Sequence, residues 1–409
     1  MERIENTQIK RFLTEYVSTK LENCRPFVQV FGKGFAKKRL ELNLGKVYTN
    51  VFDSIMVGTY NLFGDHSITL YTSNHNEQPL TIEELSKDSV KMSTMFHEAI
   101  HAIFRRTDKE CKKYRIQNGT GILETTKGGK EFGRGLNEGL TNWICEKAGL
   151  DVISYIKITD LVRELELAIG TKNVMKLGKG NISKNIAKIL NMSELQCYAF
   201  LSKIDPIYIL QDKYYNEENF VYLLRKYKNR DNLSEIEKRN FEDEFRDMEE
   251  HYLYQEMLQD ENYLFLKAQS DNELDAKISY FKERVKIHKK REEKAIAYVE
   301  SIIFDKYFKT EFEKYQKSNK FSQNKFVKFQ KLARLITVRE NIRSSEETSS
   351  ERFKRNFTRI YEKSDKSDST GNFRISYACN YLPVQDLYQS DNRTQRNKVK
   401  EDIGIREEL

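Results

Sequence analysis

The chain has 409 residues, of which 32% are charged and only four are proline, and 70 basic residues face 62 acidic ones for a net charge of +8. A chain of this length can bury a sizeable core, and this composition indicates amphipathic helices. Because both signs of charge are interspersed, there is no continuous cationic block, so the composition permits nucleic-acid binding without indicating it.

The cysteines and the N-terminus indicate the compartment. The five cysteines are unclustered and odd in number, and no CxxC pattern occurs, so we expect reduced thiols rather than a disulfide framework (Cys24, Cys111, Cys145, Cys197 and Cys379). The first residues carry charges without a following apolar run, which predicts no signal peptide, and no run approaches the length of a membrane span. We therefore expect a protein that does not enter a membrane and is cytoplasmic; the alternative is export by a route that this sequence does not show.

The first elements are predicted to be a helix, a strand and a hairpin. Residues 1–24 have apolar side chains at helical spacing, Pro26 breaks this pattern, and residues 27–31 are typical of a strand. Residues 55–60 and 67–72 predict two paired strands, with a turn containing Gly64 and Asp65 between them. His66 and His75 lie nearby, and as loop histidines they are expected to be solvated.

A helix is predicted from Ile82 to Arg106. Thr81 and Glu84 form a capping box, in which each side chain satisfies a backbone amide at the start of the helix. Arg105 and Arg106 stand at its negative end. One apolar stripe follows the helix (Leu85, Met92, Phe96, Ala99, Ile100 and Ile103).

This helix carries the pattern His97-Glu98-x-x-His101. Positions four apart lie on one helical face, so both imidazoles can reach one metal ion. Two neutral nitrogens and an adjacent carboxylate are what a zinc hydrolase needs, with Glu98 taking a proton from zinc-bound water. The other interpretation is a surface helix with two solvated histidines.

A third ligand is predicted at Glu138, 37 positions after His101. The segment from Gly135 to Trp143 should start a second helix that presents Glu138 in its first turn, with Asn142 one turn later on the same polar face. A catalytic zinc ion takes three protein ligands and keeps one position open. The alternative is a glutamate that only stabilises the helix dipole. Cys145, close by, is expected to be a small core residue.

His97-Glu98-x-x-His101 followed by Asn137-Glu138-x-x-x-Asn142 resembles the gluzincin zinc metallopeptidases, the thermolysin-like clan. The resemblance covers roughly residues 50–170 and implies His97, His101 and Glu138 as zinc ligands and Glu98 as general base. The clan usually has Asp where this chain has Asn142. The metzincin pattern is excluded, because Phe104 and Thr107 stand where it needs Gly and His.

The resemblance also implies roles for neighbouring segments. A sheet edge above the metal pairs with extended substrate in the clan, which carried over makes residues 67–72 the peptide-binding edge; the alternative is a plain sheet edge. Residues 121–132 predict an exposed hairpin that is either a flap or a connector. A helix is predicted from Asp151 to Gly170, with Ile156 in its core. Tyr155 in its first turn is the candidate oxyanion donor, and Tyr114 and Tyr198 are not excluded.

The fold predicted is α+β: a small mixed sheet with two metal-binding helices, zincin-like, followed by a mostly helical C-terminal half. The predicted divisions are a metallopeptidase domain at 1–184, a helical domain at 185–340, and a flexible linker and tail at 341–409. Residues 278–302 favour a long helical hairpin over a regular coiled coil, with His251 and His288 on the surface.

The function predicted is zinc-dependent hydrolysis of peptide bonds in a peptide or protein substrate. The alternative is a helical regulatory or binding protein that keeps a zinc site without turnover. The sequence leaves the substrate, cleavage preference and oligomeric state open.

Overall fold

The structure, a computed structural model, describes residues 5–52, 58–62, 64–72, 80–151, 154–229, 232, 234–235 and 271–310. The chain divides into two compact units, Met1–Ala295 and Ile296–Leu409, and the candidate site lies in the first. The predicted domain boundaries after residues 184 and 340 stay predictions. His75, His251 and the predicted linker and tail lie outside the described residues.

The described part is mixed α and β and mostly helical, as predicted. The helices are α1 (Thr7–Asn23), α2 (Arg25–Phe31), α3 (Phe35–Asn43), α4 (Ile82–Lys87), α5 (Ser89–Phe104), α6 (Asp108–Tyr114), α7 (Arg134–Lys147), α8 (Ile156–Ile169), α9 (Thr171–Leu177), α10 (Ala187–Ile189), α11 (Glu194–Lys228) and α12 (Asp271–Ile303). Short π-helical turns occupy Ile182–Ile186 and Phe304–Phe308. Within these residues, no helix is long and apolar enough to cross a membrane.

The strands of the described residues form two three-stranded sheets. They are β1 (Val47–Phe52), β2 (Gly58–Tyr60), β3 (Ile68–Thr72), β4 (Ile116–Thr120), β5 (Leu123–Thr126) and β6 (Glu131–Phe132). In the first sheet β3 lies between a parallel β1 and an antiparallel β2, so the predicted β2–β3 pair is confirmed. The second sheet has the order β4-β5-β6 and contains the predicted hairpin at 121–132.

The central position of β3 contradicts the prediction that residues 67–72 are a peptide-binding edge. β3 pairs with β1 on one side and, over Ile68–Leu70, with β2 on the other, so it is an inner strand and not an edge open to a substrate. The strand at the edge beside α5 is β2.

The predicted strand at residues 27–31 is wrong, because these residues form α2. Pro26 lies in the first turn of that helix, where a missing N–H costs nothing. Phe27 and Phe31 then lie on one face and pack against Phe104 at the end of α5, with ring centroids 6.3 and 5.3 Å apart. A helix and a strand would both place these two rings on one side of the element. The shorter rise of the helix brings them together in the same cluster.

The helix predicted over residues 82–106 is interrupted at Asp88. Its capping box at Thr81 and Glu84 is confirmed, but it begins the short helix α4. Asp88 ends α4 and caps α5, since its side chain accepts a hydrogen bond from the Lys91 backbone N–H at 2.9 Å. A side chain that satisfies a free amide favours a new helix start over continuation.

Three further predictions need correction. The helix predicted from Asp151 begins at Ile156, whose side chain is 55% exposed rather than in the core. His288, predicted on the surface, is buried, and its Nδ1 lies 2.9 Å from Glu217 Oε2. The chain places Glu217 of α11 against α12, and the two helices run antiparallel, since Lys228 also pairs with Asp275. Residues 278–302 themselves lie in one continuous helix, so the partner in this antiparallel pair is α11 and not a second half of the same segment.

Candidate metal centre

The helix α5 presents His97, Glu98 and His101. Its apolar stripe is fully buried against the rest of the fold (Met92, Met95, Phe96, Ala99, Ile100 and Ile103). This burial fixes the rotation of the helix, and both histidines, which border the stripe, become buried as well, each 7% exposed. Their rings lie 4.8 Å apart between centroids. The solvated surface helix considered from the sequence is therefore wrong.

The second helix, α7, packs closely against two neighbours because it carries two glycines one turn apart on the same face. A Cβ added at Gly135 would lie 3.0 Å from the Ile204 carbonyl oxygen, and one added at Gly139 would lie 2.6 Å from Ile158 Cγ2. The glycines thus allow α11 and α8 to approach the backbone of α7. Glu138 lies between these contacts, as the fifth residue of α7, so it stands in the second turn rather than the predicted first turn.

The structure brings His97, His101 and Glu138 together in one cluster. Glu138 Oε2 lies 3.0 Å from His97 Nε2 and 3.3 Å from His101 Nε2, and the two Nε2 atoms are 3.1 Å apart. Ligand atoms about 2.0–2.2 Å from a tetrahedral zinc ion are separated from each other by about 3.3–3.6 Å. The three donors therefore form a triangle of nearly the size that one zinc ion requires.

The side chains of this cluster shift one another's pKa values in the metal-free protein. Burial opposes a proton on His97, but contacts with Cys145, Glu138 and Glu98 outweigh it and raise the pKa of His97 well above its ordinary value. Burial would raise the pKa of Glu138, but the charges and hydrogen bonds of His101 and His97 hold that pKa far below its ordinary value. The carboxylate thus stays ionised although only 15% of its side chain is exposed, and there it needs positive charge.

Asn142 orients His97. Its Oδ1 lies 2.8 Å from His97 Nδ1, and its Nδ2 donates to the Ser154 carbonyl at 2.5 Å. Because the carbonyl can only accept, the amide oxygen must face the imidazole, which then carries a proton on Nδ1. The Nε2 lone pair of a neutral His97 is left pointing into the cluster, as a metal ligand requires.

Asn137 contacts the other imidazole, a role that the sequence pattern did not assign. Its Nδ2 lies 3.2 Å from His101 Nδ1, and its Oδ1 accepts from the Ile122 backbone N–H at 3.1 Å. The signal was available, since Asn137 directly precedes Glu138 and lies on a helix that faces α5. The hydroxyl of Thr120 also donates to the His101 carbonyl at 2.7 Å.

Glu98 lies beside the cluster and at the sheet edge. Its side chain is half-buried, and it accepts a hydrogen bond from the backbone N–H of Tyr60 in β2. Burial raises the pKa of Glu98, and the nearby His97 and His101 oppose that shift. A carboxyl group whose pKa moves toward neutrality can both take and return a proton.

The three tyrosines considered as oxyanion donors lie in different parts of the structure. Tyr155 lies near the cluster, with its ring centroid 6.5 Å from that of His97, but it precedes α8 with a left-handed backbone, φ 50°, instead of lying in a first helical turn. Tyr198 packs edge-to-face against Phe132, with ring centroids 4.9 Å apart, and Tyr114 contacts lysine side chains. Only Tyr155 among these contacts a ligand of the cluster in the described residues.

The remaining predicted residues take other places. His66 does not join the cluster. The thiol of Cys145 is buried, and its pKa is influenced by the nearby His97, so it lies beside a ligand without being one of the converging donors.

No protein-family model, curated protein or solved structure matches this chain. The resemblance to gluzincins therefore depends on the residue pattern and on the geometry of the His97, His101 and Glu138 side chains.

Proposed function

We propose that this protein is a zinc-dependent peptide hydrolase with a zincin-like catalytic unit of the gluzincin type. His97, His101 and Glu138 hold the zinc ion, and Glu98 is the general base. The observation that carries this proposal is the convergence of two imidazole nitrogens and one carboxylate oxygen within 3.3 Å of each other.

The donor set fits zinc better than a hard cation. Two neutral nitrogens and one oxygen suit zinc, whereas calcium and magnesium prefer oxygen donors throughout. The half-buried, ionised carboxylate of Glu138 and the oriented ring of His97 supply negative charge and ligand geometry in the metal-free protein. When bound, zinc supplies a Lewis acid that brings the pKa of a coordinated water to about 7 and polarises a carbonyl oxygen.

Glu98 moves the proton in this proposal. It neighbours the ligand His97 in sequence but is turned toward β2, where the Tyr60 backbone N–H restrains its carboxylate. From there it takes a proton from the attacking water and later gives it to the leaving amine. Since it is not among the converging donors, replacing it should leave metal binding intact.

The edge strand β2 supports a peptide as the substrate class. Its register with β3, from Gly58 opposite Leu70 to Tyr60 opposite Ile68, leaves one side of the strand facing away from the sheet. An extended peptide can add to such an edge through main-chain hydrogen bonds. The Glu98 carboxylate lies at this edge, which would align a scissile bond with the base.

The test measures zinc content and peptide cleavage on the same purified samples. We expect one zinc per wild-type chain and cleavage that a chelator abolishes. Glu98→Gln should keep the zinc and lose cleavage by about 10²–10⁴-fold, because the proton transfer is lost. Glu138→Ala should lose the zinc itself.

Glu83→Gln is the matched control, because Glu83 is an exposed carboxylate paired only with Lys87 in the described residues. It should change neither zinc content nor cleavage. Wild-type protein without zinc, or Glu98→Gln cleaving at the wild-type rate, would overturn the proposal. Zinc without cleavage of any peptide would instead favour the non-catalytic binding protein.

A further inference from the structure

The two asparagines beside the histidines are bonded in opposite ways. At Asn142 the amide oxygen faces the His97 ring, and the amide nitrogen faces the Ser154 carbonyl. At Asn137 the amide oxygen faces the Ile122 backbone N–H, and the amide nitrogen faces the His101 ring. Each backbone partner has a fixed role, since a carbonyl only accepts and an N–H only donates, so neither amide orientation is arbitrary.

The orientation of Asn137 decides which His101 nitrogen carries the proton. An amide NH₂ group can only donate, so His101 Nδ1, 3.2 Å away, must accept. A neutral imidazole that accepts at Nδ1 carries its proton on Nε2. Yet Nε2 is the atom that points at the cluster, 3.3 Å from Glu138 Oε2 and 3.1 Å from His97 Nε2.

Metal ligation requires the other tautomer. A histidine that binds zinc through Nε2 keeps a lone pair there and donates its Nδ1–H to an acceptor. His97 satisfies this requirement through Asn142, but His101 faces a donor. We propose that Asn137 holds His101 in the tautomer that cannot bind metal, so that metal binding requires the Asn137 amide to turn over.

Turning the amide has a structural cost. The amide nitrogen would then face the Ile122 N–H, which loses its acceptor in a buried place. There is little room for a different rearrangement, because Gly121 approaches so closely that an added Cβ would lie 2.4 Å from Asn137 Oδ1. Asn137 is therefore a positioning residue that weakens metal binding and keeps it reversible.

A carboxylate at position 137 removes the conflict. Both of its oxygens accept, so one faces the Ile122 N–H while the other takes the Nδ1–H of His101. This inference rests on the proposed metal site. We expect the Asn137→Asp variant to bind zinc at least about tenfold more tightly than wild type. Chelator competition at fixed pH and ionic strength measures the two affinities.

Asn142→Asp is the matched control, since it adds the same charge next to the other histidine. There the second carboxylate oxygen meets the Ser154 carbonyl oxygen, which the wild-type amide contacts at 2.5 Å. We expect no tightening, or weaker binding. Equal tightening by both variants would show a general effect of charge and overturn the inference, as would no tightening by Asn137→Asp.

A second measurement needs neither metal nor a variant. Nitrogen-15 NMR of the histidine rings in metal-free wild type, at a pH where both rings are neutral, should show His101 with its proton on Nε2 and His97 with its proton on Nδ1. Finding the His101 proton on Nδ1 overturns the inference. Absence of zinc binding by wild type would defeat the proposed function alone, because the ring protons are still observed.

Discussion

The carboxylate of Asp205 in α11 accepts a hydrogen bond from the backbone N–H of Gly135 in α7 at 3.0 Å. Its other oxygen accepts from the Gly133 N–H at 2.9 Å. The start of α7 has no cap of its own, since Gly133 offers no side chain. A residue 70 positions later in the chain therefore satisfies the amides at the start of the helix that carries Glu138.

Asp205→Ala should lower the free energy of unfolding by about 1–2 kcal/mol, because it removes a helix cap. It should also weaken zinc binding, because Glu138 lies one turn beyond the capped amides. Urea denaturation and chelator competition measure the two effects. Asp108→Ala, at a carboxylate whose side chain is 91% exposed, should cost less than about 1 kcal/mol. Equal losses for both variants would contradict a tertiary cap.

Gly139→Ala should separate α7 from α8. The new methyl group would lie 2.6 Å from Ile158 Cγ2 and 2.8 Å from the Ile158 carbonyl oxygen, which no real packing tolerates. We expect a loss of about 1–3 kcal/mol in unfolding free energy, and weaker zinc binding, because Glu138 is the preceding residue. Thermal unfolding with and without zinc measures both.

Gly128→Ala makes the same change where there is room, since the nearest atom to an added Cβ is Thr126 Oγ1 at 3.9 Å. Its effect should stay within about 0.5 kcal/mol. If Gly139→Ala changed the unfolding free energy equally little, the close approach of α7 and α8 would be unnecessary for the fold.

Arg106→Met should destabilise the protein through Glu124. The predicted role of Arg106 at a helix end is wrong, because its buried guanidinium donates to the carbonyls of Leu123, Gly121 and Gly180 and lies 3.2 Å from Glu124 Oε1. The variant leaves the Glu124 carboxylate buried without its cation, at a cost of about 3–5 kcal/mol. Adding Glu124→Gln should recover part of this loss, because a neutral amide needs no cation.

The loss of stability in Arg106→Met should also depend on pH. Burial already raises the pKa of Glu124, and Arg106 opposes that shift. Without Arg106, the pKa of Glu124 in the folded protein rises further above its value in the unfolded chain. At pH values between these two pKa values, folding is therefore accompanied by the uptake of a proton. The stability difference between wild type and Arg106→Met should therefore shrink as the pH falls through this window. A difference that grows on acidification would contradict this account; chemical denaturation at several pH values measures it.

Glu217→Ala should loosen the attachment of α12 to α11. The buried Glu217 carboxylate bonds Arg284 Nε at 2.7 Å and lies 2.9 Å from His288 Nδ1. Hydrogen bonds to a charged group contribute about 1.5–3 kcal/mol, so the opening free energy of residues 271–295 should fall by that amount. Amide hydrogen exchange reports it directly.

The next residue supplies the control for that experiment. Glu218 pairs with Lys289 at 2.5 Å, but both side chains are more than two-fifths exposed. Glu218→Ala should change the exchange by less than about 1 kcal/mol. Similar acceleration in both variants would show that burial of Glu217 is unimportant.

Local rules predicted some of these elements and failed at others. The capping box at Thr81 and Glu84 and the β2–β3 pair followed from residue types and spacing. The strand predicted at residues 27–31 failed because its apolar residues, at positions 27, 28, 30 and 31, also have the spacing of a helix, and packing against Phe104 decides between the two. His288 was predicted exposed because its buried partner, Glu217, lies on a helix 71 positions away.

The sequence by itself determined that His97 and His101 share a helical face and that Glu98 turns away from them, because the period of a helix is a local property of the chain. Only the tertiary structure decided that Glu138 Oε2 reaches both imidazoles, that Asn137 and Asn142 face their rings with opposite ends, and that β2 rather than β3 lies at the edge. Those relationships depend on how closely separate elements pack, and the glycines and buried side chains that set these distances act on partners far away in the sequence.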